Sequence, residues 1–183
     1  MIDVAGGNFR LRHGAPGIDA GTNAPVAGAM DLDGAARLSG SAVDFGAYEY
    51  EAARTDSDLD GMRDDWELAY GLDPEDAGDA AGQGDADGVA NGDEYVADTD
   101  PTNAASYFSI EGISGGPPDL VFFDSSSNRA YSLEWGAGLV TGAWAVVPGQ
   151  ANISGNGGGL VMSNSAAIDA GAFYRVRVAV PGE

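Results

Sequence analysis

An acidic motif that occurs twice, 27 residues apart, constrains the fold of this chain more than any other feature. The segment DGMRDDWELAYGLDP at residues 60–74 aligns without gaps with DGVANGDEYVADTDP at residues 87–101. Five positions are identical: Asp60 and Asp87, Gly61 and Gly88, Glu67 and Glu94, Asp73 and Asp100, Pro74 and Pro101. Identities at fixed offsets predict two copies of one structural unit. We therefore expect this part of the chain to adopt the same local backbone twice.

The first copy, DSDLDGMRDDWE at residues 56–67, fits the pattern of a twelve-residue calcium loop. Such a loop binds calcium through oxygens at positions 1, 3, 5, 7 (a backbone carbonyl), 9 and 12, with glycine at position 6 for a sharp turn. The predicted ligands are Asp56, Asp58, Asp60, Met62 through its carbonyl, Asp64 and Glu67. Because the pattern fixes several acids and a glycine at once, it favours a calcium site over a solvated acidic turn.

The second copy keeps this spacing but has fewer charged ligand residues. Its predicted ligands are Gln83, Asp85, Asp87, Val89 through its carbonyl, Asn91 and Glu94. Position 1 is an amide here, and calcium affinity follows the charge of the ligands. Either Gln83 supplies a neutral oxygen, or Asp79 reaches in from just before the loop. The second site is predicted to be the looser one.

A short helix is predicted after each loop. DDWELAY runs to Gly71, which suits the left-handed residue that ends a helix, and Pro74 prevents any continuation. DEYVA leads to DTDP in the same way. No helix is predicted before the first loop, because the strand-like VDFGAYEY ends too close to it. The motif therefore predicts loop-helix units rather than complete helix-loop-helix hands.

Charge and composition favour a hard cation as the partner of this region. Residues 51–106 carry 17 acids and two arginines, so −15 of the formal net charge of −21 lies there. Such density repels nucleic acid and anionic membrane surfaces, and no nucleic-acid partner is expected. The chain has no cysteine and a single histidine, His13, which excludes thiolate and multi-histidine zinc sites. No apolar run reaches the length of a membrane span, so no membrane insertion is expected.

The chain divides by composition into three zones, residues 1–50, 51–106 and 107–183. The first is rich in glycine, alanine and aspartate, and NFRLRHG and VDFGAYEY predict short strands joined by turns. Its DLDG at residues 31–34 is expected to be a turn, because Ala29 and Gly40 would occupy positions 1 and 12 of a calcium loop.

The last zone alternates apolar and polar residues with period two. AYSLEW places Tyr131, Leu133 and Trp135 on one face of a strand and Ser132 and Glu134 on the other, and YRVRVAV alternates likewise. Strands are predicted near 108–113, 119–123, 130–135, 143–147, 159–163 and 172–180. The fold class is therefore predicted to be mainly β, with an antiparallel β-sandwich at the C-terminal end.

Three segments resemble known families. DSDLDGMRDDWE resembles thrombospondin type 3 repeats and dockerins, and DWELAYGLDP with DGVANGDEYVADTDPTN is similar to a duplicated calcium-binding segment of large secreted bacterial proteins. GAPGIDAGTNAPV, DLDGAARL and VDFGAYEY resemble the end of the right-handed parallel β-helix in choice-of-anchor Q surface proteins. FSIEGIS, AYSLEWGAGLVTGAWAVV and FYRVRV resemble the small β-sandwich modules of such proteins.

The resemblance implies the last coils or cap of a β-helix over residues 1–50, a calcium-binding connector over 51–106 and a β-sandwich over 107–183. It also implies a location outside the cell or on the bacterial surface, in a chain that is the C-terminal part of a longer protein. A non-catalytic structural or adhesive role is expected, in which Ca²⁺ makes the connector rigid.

Two alternative functions stay open. One is carbohydrate binding on an aromatic platform of Tyr131, Trp135 and Trp144, and the other is self-assembly into a surface layer or filament through exposed sheet edges. A glycan or another surface protein is thus a further candidate partner. Catalysis of polysaccharide cleavage by His13 or by an arginine (Arg10, Arg12 or Arg37) is disfavoured, because the chain contains no lysine and most of any β-helix groove is absent.

Overall fold

A computed structural model describes residues 1–23, 29–116, 118–140, 142–165 and 173–182. The fold is mainly β, and its sheets are antiparallel. Two compact units are formed: the N-terminal unit is Met1–Gly84 with Ala90–Gly92, and the C-terminal unit is Asp85–Val89 with Asp93–Glu183. The three zones proposed from composition stay a prediction.

The described part of residues 1–50 consists mainly of turns and irregular segments. Its β-type pairing is limited to two isolated antiparallel bridges, Asp3 with Asn8 and Met30 with Ala36. The strands predicted at NFRLRHG and VDFGAYEY are therefore wrong. Gly14 and Gly46 have positive φ angles of 67° and 132°, which turn the chain where a strand would have to continue. No parallel strand pair occurs among these described residues, and residues 24–26 of GAPGIDAGTNAPV lie outside them.

The DLDG segment forms a turn, as predicted. Asp31 Oδ1 accepts the backbone N–H groups of Asp33 and Ala35, both at 2.9 Å, and its Oδ2 accepts that of Glu49 at 3.1 Å. Carboxylates that bind backbone amides in this way replace the hydrogen bonds of a strand ladder. Both oxygens of Asp31 therefore have structural partners.

The predicted helices after each loop are confirmed. Helix α1 is Asp64–Tyr70 and helix α2 is Asn91–Ala97, and short 3-10 turns lie at Ala52–Arg54 and Asp79–Ala81. Gly71 ends α1 in the left-handed conformation with φ 76° and ψ 24°. Asp98 occupies the equivalent position after α2 and also has a positive φ, 61°.

In the described part of the C-terminal unit, seven strands form two antiparallel sheets. They are β1 (Ile110–Ser114), β2 (Asp119–Asp124), β3 (Ala130–Gly136), β4 (Ala145–Val146), β5 (Ile153–Ser154), β6 (Gly159–Asn164) and β7 (Phe173–Ala179). One sheet has the order β1-β2-β6, and in the other β3 pairs with β4, β5 and β7. Each of the six predicted strands overlaps an observed one, although residue 172 lies outside the described ranges. The two-residue β5 was not predicted.

The two sheets share one apolar core. β2 and β6 of the first sheet contribute to it, as does β3 of the second. Its fully buried members are Val121, Phe123, Tyr131, Leu133, Val147 and Met162. Phe123 and Tyr131 pack with ring centroids 5.1 Å apart, and each also contacts the ring of Phe108. Burial of these side chains stabilises the sheets independently of any ion.

Strand β3 is buried on both faces, including the polar face that carries Ser132 and Glu134. Ser132 Oγ accepts the backbone N–H of Asn152 at 2.9 Å, and Glu134 Oε2 accepts Arg175 Nε at 2.6 Å. A polar residue is stable in a buried position when it is hydrogen bonded. The alternation therefore predicts the strand correctly, but not the burial of its second face.

Candidate metal centres

The first loop is folded around its own aspartates. Asp56 accepts the backbone N–H groups of Leu59 at 2.7 Å and of Gly61 at 3.0 Å, and Asp60 accepts that of Met62 at 2.7 Å. Leu59 and Gly61 have positive φ angles of 67° and 98°, and the glycine at position 6 adopts this conformation without strain. The turn and these bonds direct the side chains of positions 1, 3 and 5 towards one point.

Five carboxylates of the N-terminal unit meet at this point in two overlapping groups. The ligand atoms within each group all lie within 4.8 Å of one another; the groups are Asp56, Asp58 and Asp60, and Asp60, Glu67 and Asp79. Glu67 is fully buried, and neither of its carboxylate oxygens has a hydrogen-bond partner among the described residues. Asp58 Oδ2, Asp60 Oδ2 and Asp79 Oδ1 are buried and unpartnered in the same way.

Such an arrangement of buried, unpartnered carboxylates is unfavourable unless a proton or a cation neutralises it. Burial and the neighbouring charges of Asp60, Asp58 and Asp79 raise the pKa of Glu67 to about 8. Burial and the charge of Asp60 likewise raise the pKa of Asp58 to about 6. A metal ion bound among these oxygens would supply the missing partner. The residues of the first cluster therefore fit a bound cation.

The second loop repeats the same backbone. Asp87 N–H donates to Asp85 Oδ1 at 3.0 Å and Val89 N–H to Asp87 Oδ1 at 2.7 Å. Ala86 and Gly88 have φ angles of 67° and 98°, the values found at Leu59 and Gly61. The expectation that the repeat adopts the same local backbone twice is thus confirmed.

The second cluster contains three carboxylates, Asp85, Asp87 and Glu94, again within 4.8 Å of one another. Glu94 is fully buried, and its Oε2 has no hydrogen-bond partner among the described residues. Its Oε1 accepts the Thr99 hydroxyl at 3.2 Å. Burial, together with the charges of Asp85 and Asp87, raises the pKa of Glu94. This cluster can also hold a metal ion, with fewer charged oxygens than the first.

The position 9 side chains form hydrogen bonds that close the loops. Asp64 is fully buried, and its oxygens accept the backbone N–H of Ser57 at 2.8 Å, the Ser57 hydroxyl at 2.7 Å and the Tyr50 hydroxyl at 2.9 Å. Asn91 Oδ1 accepts the backbone N–H of Gly84 at 3.1 Å. Asp64 and Asn91 each bind the amide at position 2 of their copy, and their ligation of a metal stays a prediction.

The remaining predicted ligands are distributed as follows. Asp79, one of two alternatives for the second site, lies with Asp60 and Glu67 of the first loop. Gln83, the other alternative, is exposed and uncharged. Met62 is buried and Val89 half-buried, and ligation through their carbonyls stays a prediction.

The basic residues considered for catalysis have structural partners. His13 Nδ1 lies 3.0 Å from the Tyr50 hydroxyl, and Arg12 Nε donates to the Ser57 carbonyl at 2.9 Å. Arg10 and Arg37 form ion pairs with Asp33 and Glu49, respectively. His13 thus lies in a turn that belongs to the surroundings of the first loop, through Tyr50 and Asp64.

Of the aromatic residues considered for sugar binding, Tyr131 is fully buried and Trp135 is half-buried against the core. The ring of Trp144 is covered by Arg175, whose Cζ lies 4.5 Å from the ring centroid. One face of this ring is therefore already occupied. Arg175 is an exposed residue and also pairs with Glu134.

Arg129, just before β3, has a structural role that the sequence patterns did not indicate. It is buried, and its guanidinium donates to the backbone carbonyls of Tyr95 at 2.5 Å and Val96 at 2.8 Å, while Asp98 forms an ion pair with it at 3.4 Å. A cation at the C-terminal end of a helix satisfies carbonyls that have no partner within the helix. Arg129 therefore fixes α2, which carries Glu94.

Comparisons with protein-family models, curated proteins and solved structures gave no match. In the described part of the chain, no helix has the length and apolar character needed to cross a membrane. The conclusions below therefore depend on the geometry of the two loops.

Proposed function

We propose that this protein is a non-catalytic, extracellular calcium-binding structural module. Its two loop-helix sites stiffen a connector between the end of a parallel β-helix and a C-terminal β-sandwich. The proposal is carried by one observation: Glu67 and Glu94, at equivalent places in two loops of the same backbone, are fully buried carboxylates with unpartnered oxygens directed at further acids.

The donor set favours calcium over other cations. Both clusters offer carboxylate oxygens, with no sulfur and no imidazole among the grouped atoms. Hard cations prefer such ligands, whereas zinc and copper favour thiolate or imidazole. Calcium accepts six to eight oxygens in a flexible geometry, and magnesium prefers a smaller octahedral site with several waters. A loop that gathers several carboxylates suits the larger ion.

Each site is linked to a different part of the chain. In the N-terminal unit, Asp64 connects the first loop to Tyr50, whose hydroxyl also contacts His13. In the C-terminal unit, Arg129 connects helix α2 to the start of β3. A cation that orders both loops would therefore order the segment that joins them along the chain. When bound, it supplies positive charge to the most acidic part of the sequence and so couples metal binding to folding.

Calorimetric titration of the metal-free protein with calcium tests this proposal. Wild type is expected to bind two ions, and Glu67→Gln with Glu94→Gln is expected to bind neither tightly, because the charge of each buried ligand is lost while its shape is kept. Glu75→Gln with Asp93→Asn is the matched control, since both side chains are exposed and lie outside the clusters. Unchanged binding by the Glu67/Glu94 variant would contradict the proposal.

A further inference from the structure

We infer that Asp79, which lies outside the twelve-residue loop, is an additional ligand of the first site, and that Ser106 at the equivalent place is one reason why the second site is the weaker one. This inference rests on the proposed calcium-binding function. It assigns part of the difference between the two sites to a position beyond the motif, in addition to the replacement of Asp56 by Gln83 at position 1.

The structural repeat continues through this position. Asp73 N–H donates to Asp79 Oδ2 at 2.9 Å, and Asp100 N–H, 27 residues later, donates to Ser106 Oγ at 2.9 Å. The backbone between these residues also repeats: Asp79 N–H donates to the carbonyl of Asp76 at 3.0 Å and Ser106 N–H to that of Asn103 at 2.7 Å. Asp79 and Ser106 therefore occupy the same place in the same turn.

The two side chains differ by one oxygen. Asp79 uses Oδ2 for the turn, and its Oδ1 is buried and has no hydrogen-bond partner among the described residues. The Asp79 carboxylate lies in the group formed with Asp60 and Glu67. Ser106 has a single oxygen, which already accepts the amide of Asp100. The turn is thus preserved in the second copy, but the oxygen that would face a cation is lost.

Glu67 independently indicates that a ligand belongs at this point. It is fully buried, and both of its oxygens lack a partner among the described residues although they face Asp60 and Asp79. Three carboxylates held together in this way need a proton or a cation to neutralise them. Asp79 therefore adds a carboxylate to the first site from outside the twelve-residue loop.

The reciprocal pair of substitutions Asp79→Ser and Ser106→Asp tests this inference. Calcium titration with site-resolved NMR at Gly61 and Gly88, the glycines at position 6 of each loop, distinguishes the two sites. Asp79→Ser is expected to weaken the first site by at least about tenfold and to leave the second unchanged, since affinity follows ligand charge. Ser106→Asp is expected to strengthen the second site alone.

Glu75→Gln is the matched control for net charge, because this exposed side chain lies in the same segment and outside the clusters. If Asp79→Ser weakens the first site no more than Glu75→Gln does, Asp79 is not a ligand, although calcium binding by wild type would still support the proposed function. If wild type binds no calcium, the proposed function itself fails. Should Asp79→Ser not fold, Asp79→Asn keeps an acceptor for the Asp73 amide and removes the charge.

Discussion

The acidic repeat and the C-terminal sheets are stabilised in opposite ways. In the sheets, the fully buried side chains are apolar or aromatic, such as Val121, Phe123 and Leu133. In the repeat, Glu67 and Glu94 are equally buried, yet their oxygens face other acids. A core of the first kind forms by excluding water, whereas the second kind needs a counter-charge. Apolar burial therefore accounts for the stability of the sheets, whereas the buried acids of the repeat need the neutralising charge that we propose calcium supplies.

Removal of calcium is expected to have the largest effect and to act on the repeat alone. In EDTA, hydrogen-exchange protection of the Met62 and Val89 amides is expected to fall by about a hundredfold or more, because the acids that orient them then repel one another. The amides of Val121 and Leu133 should keep their protection. Hydrogen-exchange mass spectrometry measures both regions in one sample. Equal loss in the sheets would show that the two regions do not fold independently.

A cavity in the apolar core is expected to destabilise the sheets, whether or not calcium is bound to the repeat. Leu133→Ala removes a fully buried side chain and should lower the free energy of unfolding of the sheets by about 3 kcal/mol. The loss should be the same with calcium and with EDTA, as measured by urea denaturation. Val161→Ala is the control, because Val161 is an exposed apolar residue on a strand of the other sheet. A loss that appears only in EDTA would link the core to the ion.

The features that the sequence predicted correctly are local. The strands follow from alternation over a few residues, and the loop-helix units follow from glycine, acids and a helix stop at fixed spacing. The burial of Ser132 and Glu134 could not be predicted from alternation, because it depends on Asn152 and Arg175, which are distant in sequence.

The site residues show the same limit. In the second copy the acids at positions 3, 5 and 12 form one group, and in the first copy the acid at position 5 belongs to one group with positions 1 and 3 and to another with position 12. Asp64 and Asn91 are predicted as ligands, but an oxygen at position 9 suits a metal as well as the backbone amide that each accepts, and sequence alone does not separate these uses. The grouping of Asp79 with the first loop could not be predicted for another reason. Its counterpart in the second copy is Ser106, so the repeat shows no identity at this position.

A smaller effect is expected from a change at Arg129. This residue precedes β3 and binds the C-terminal end of α2, which carries Glu94 of the second loop. Arg129→Met removes the donors to the carbonyls of Tyr95 and Val96 and should destabilise α2 by about 2 kcal/mol. Calcium affinity should then fall at the second site and stay unchanged at the first. Calorimetric titration measures this, with the exposed Arg177→Met as the control. An equal loss of affinity at both sites would show that Arg129 acts through overall stability rather than through α2.

The smallest expected effect concerns the hydrogen bond that closes the first loop. Burial and the hydrogen bond to Asp64 raise the pKa of Tyr50, so its hydroxyl keeps its proton and donates it to the buried carboxylate at 2.9 Å. Tyr50→Phe keeps the ring but removes this donor, and it should lower the stability of the first loop by about 1 kcal/mol.

Hydrogen exchange at the Met62 amide in the presence of calcium measures this loss, and Tyr107→Phe, at an exposed tyrosine, is the control. Because the other two hydrogen bonds to Asp64 come from Ser57, within the loop itself, they persist in the variant and limit the effect. A loss as large as that caused by EDTA would mean that Tyr50, and not the ion, is the main partner of the acidic loop. No change at all would mean that Ser57 alone keeps Asp64 in place.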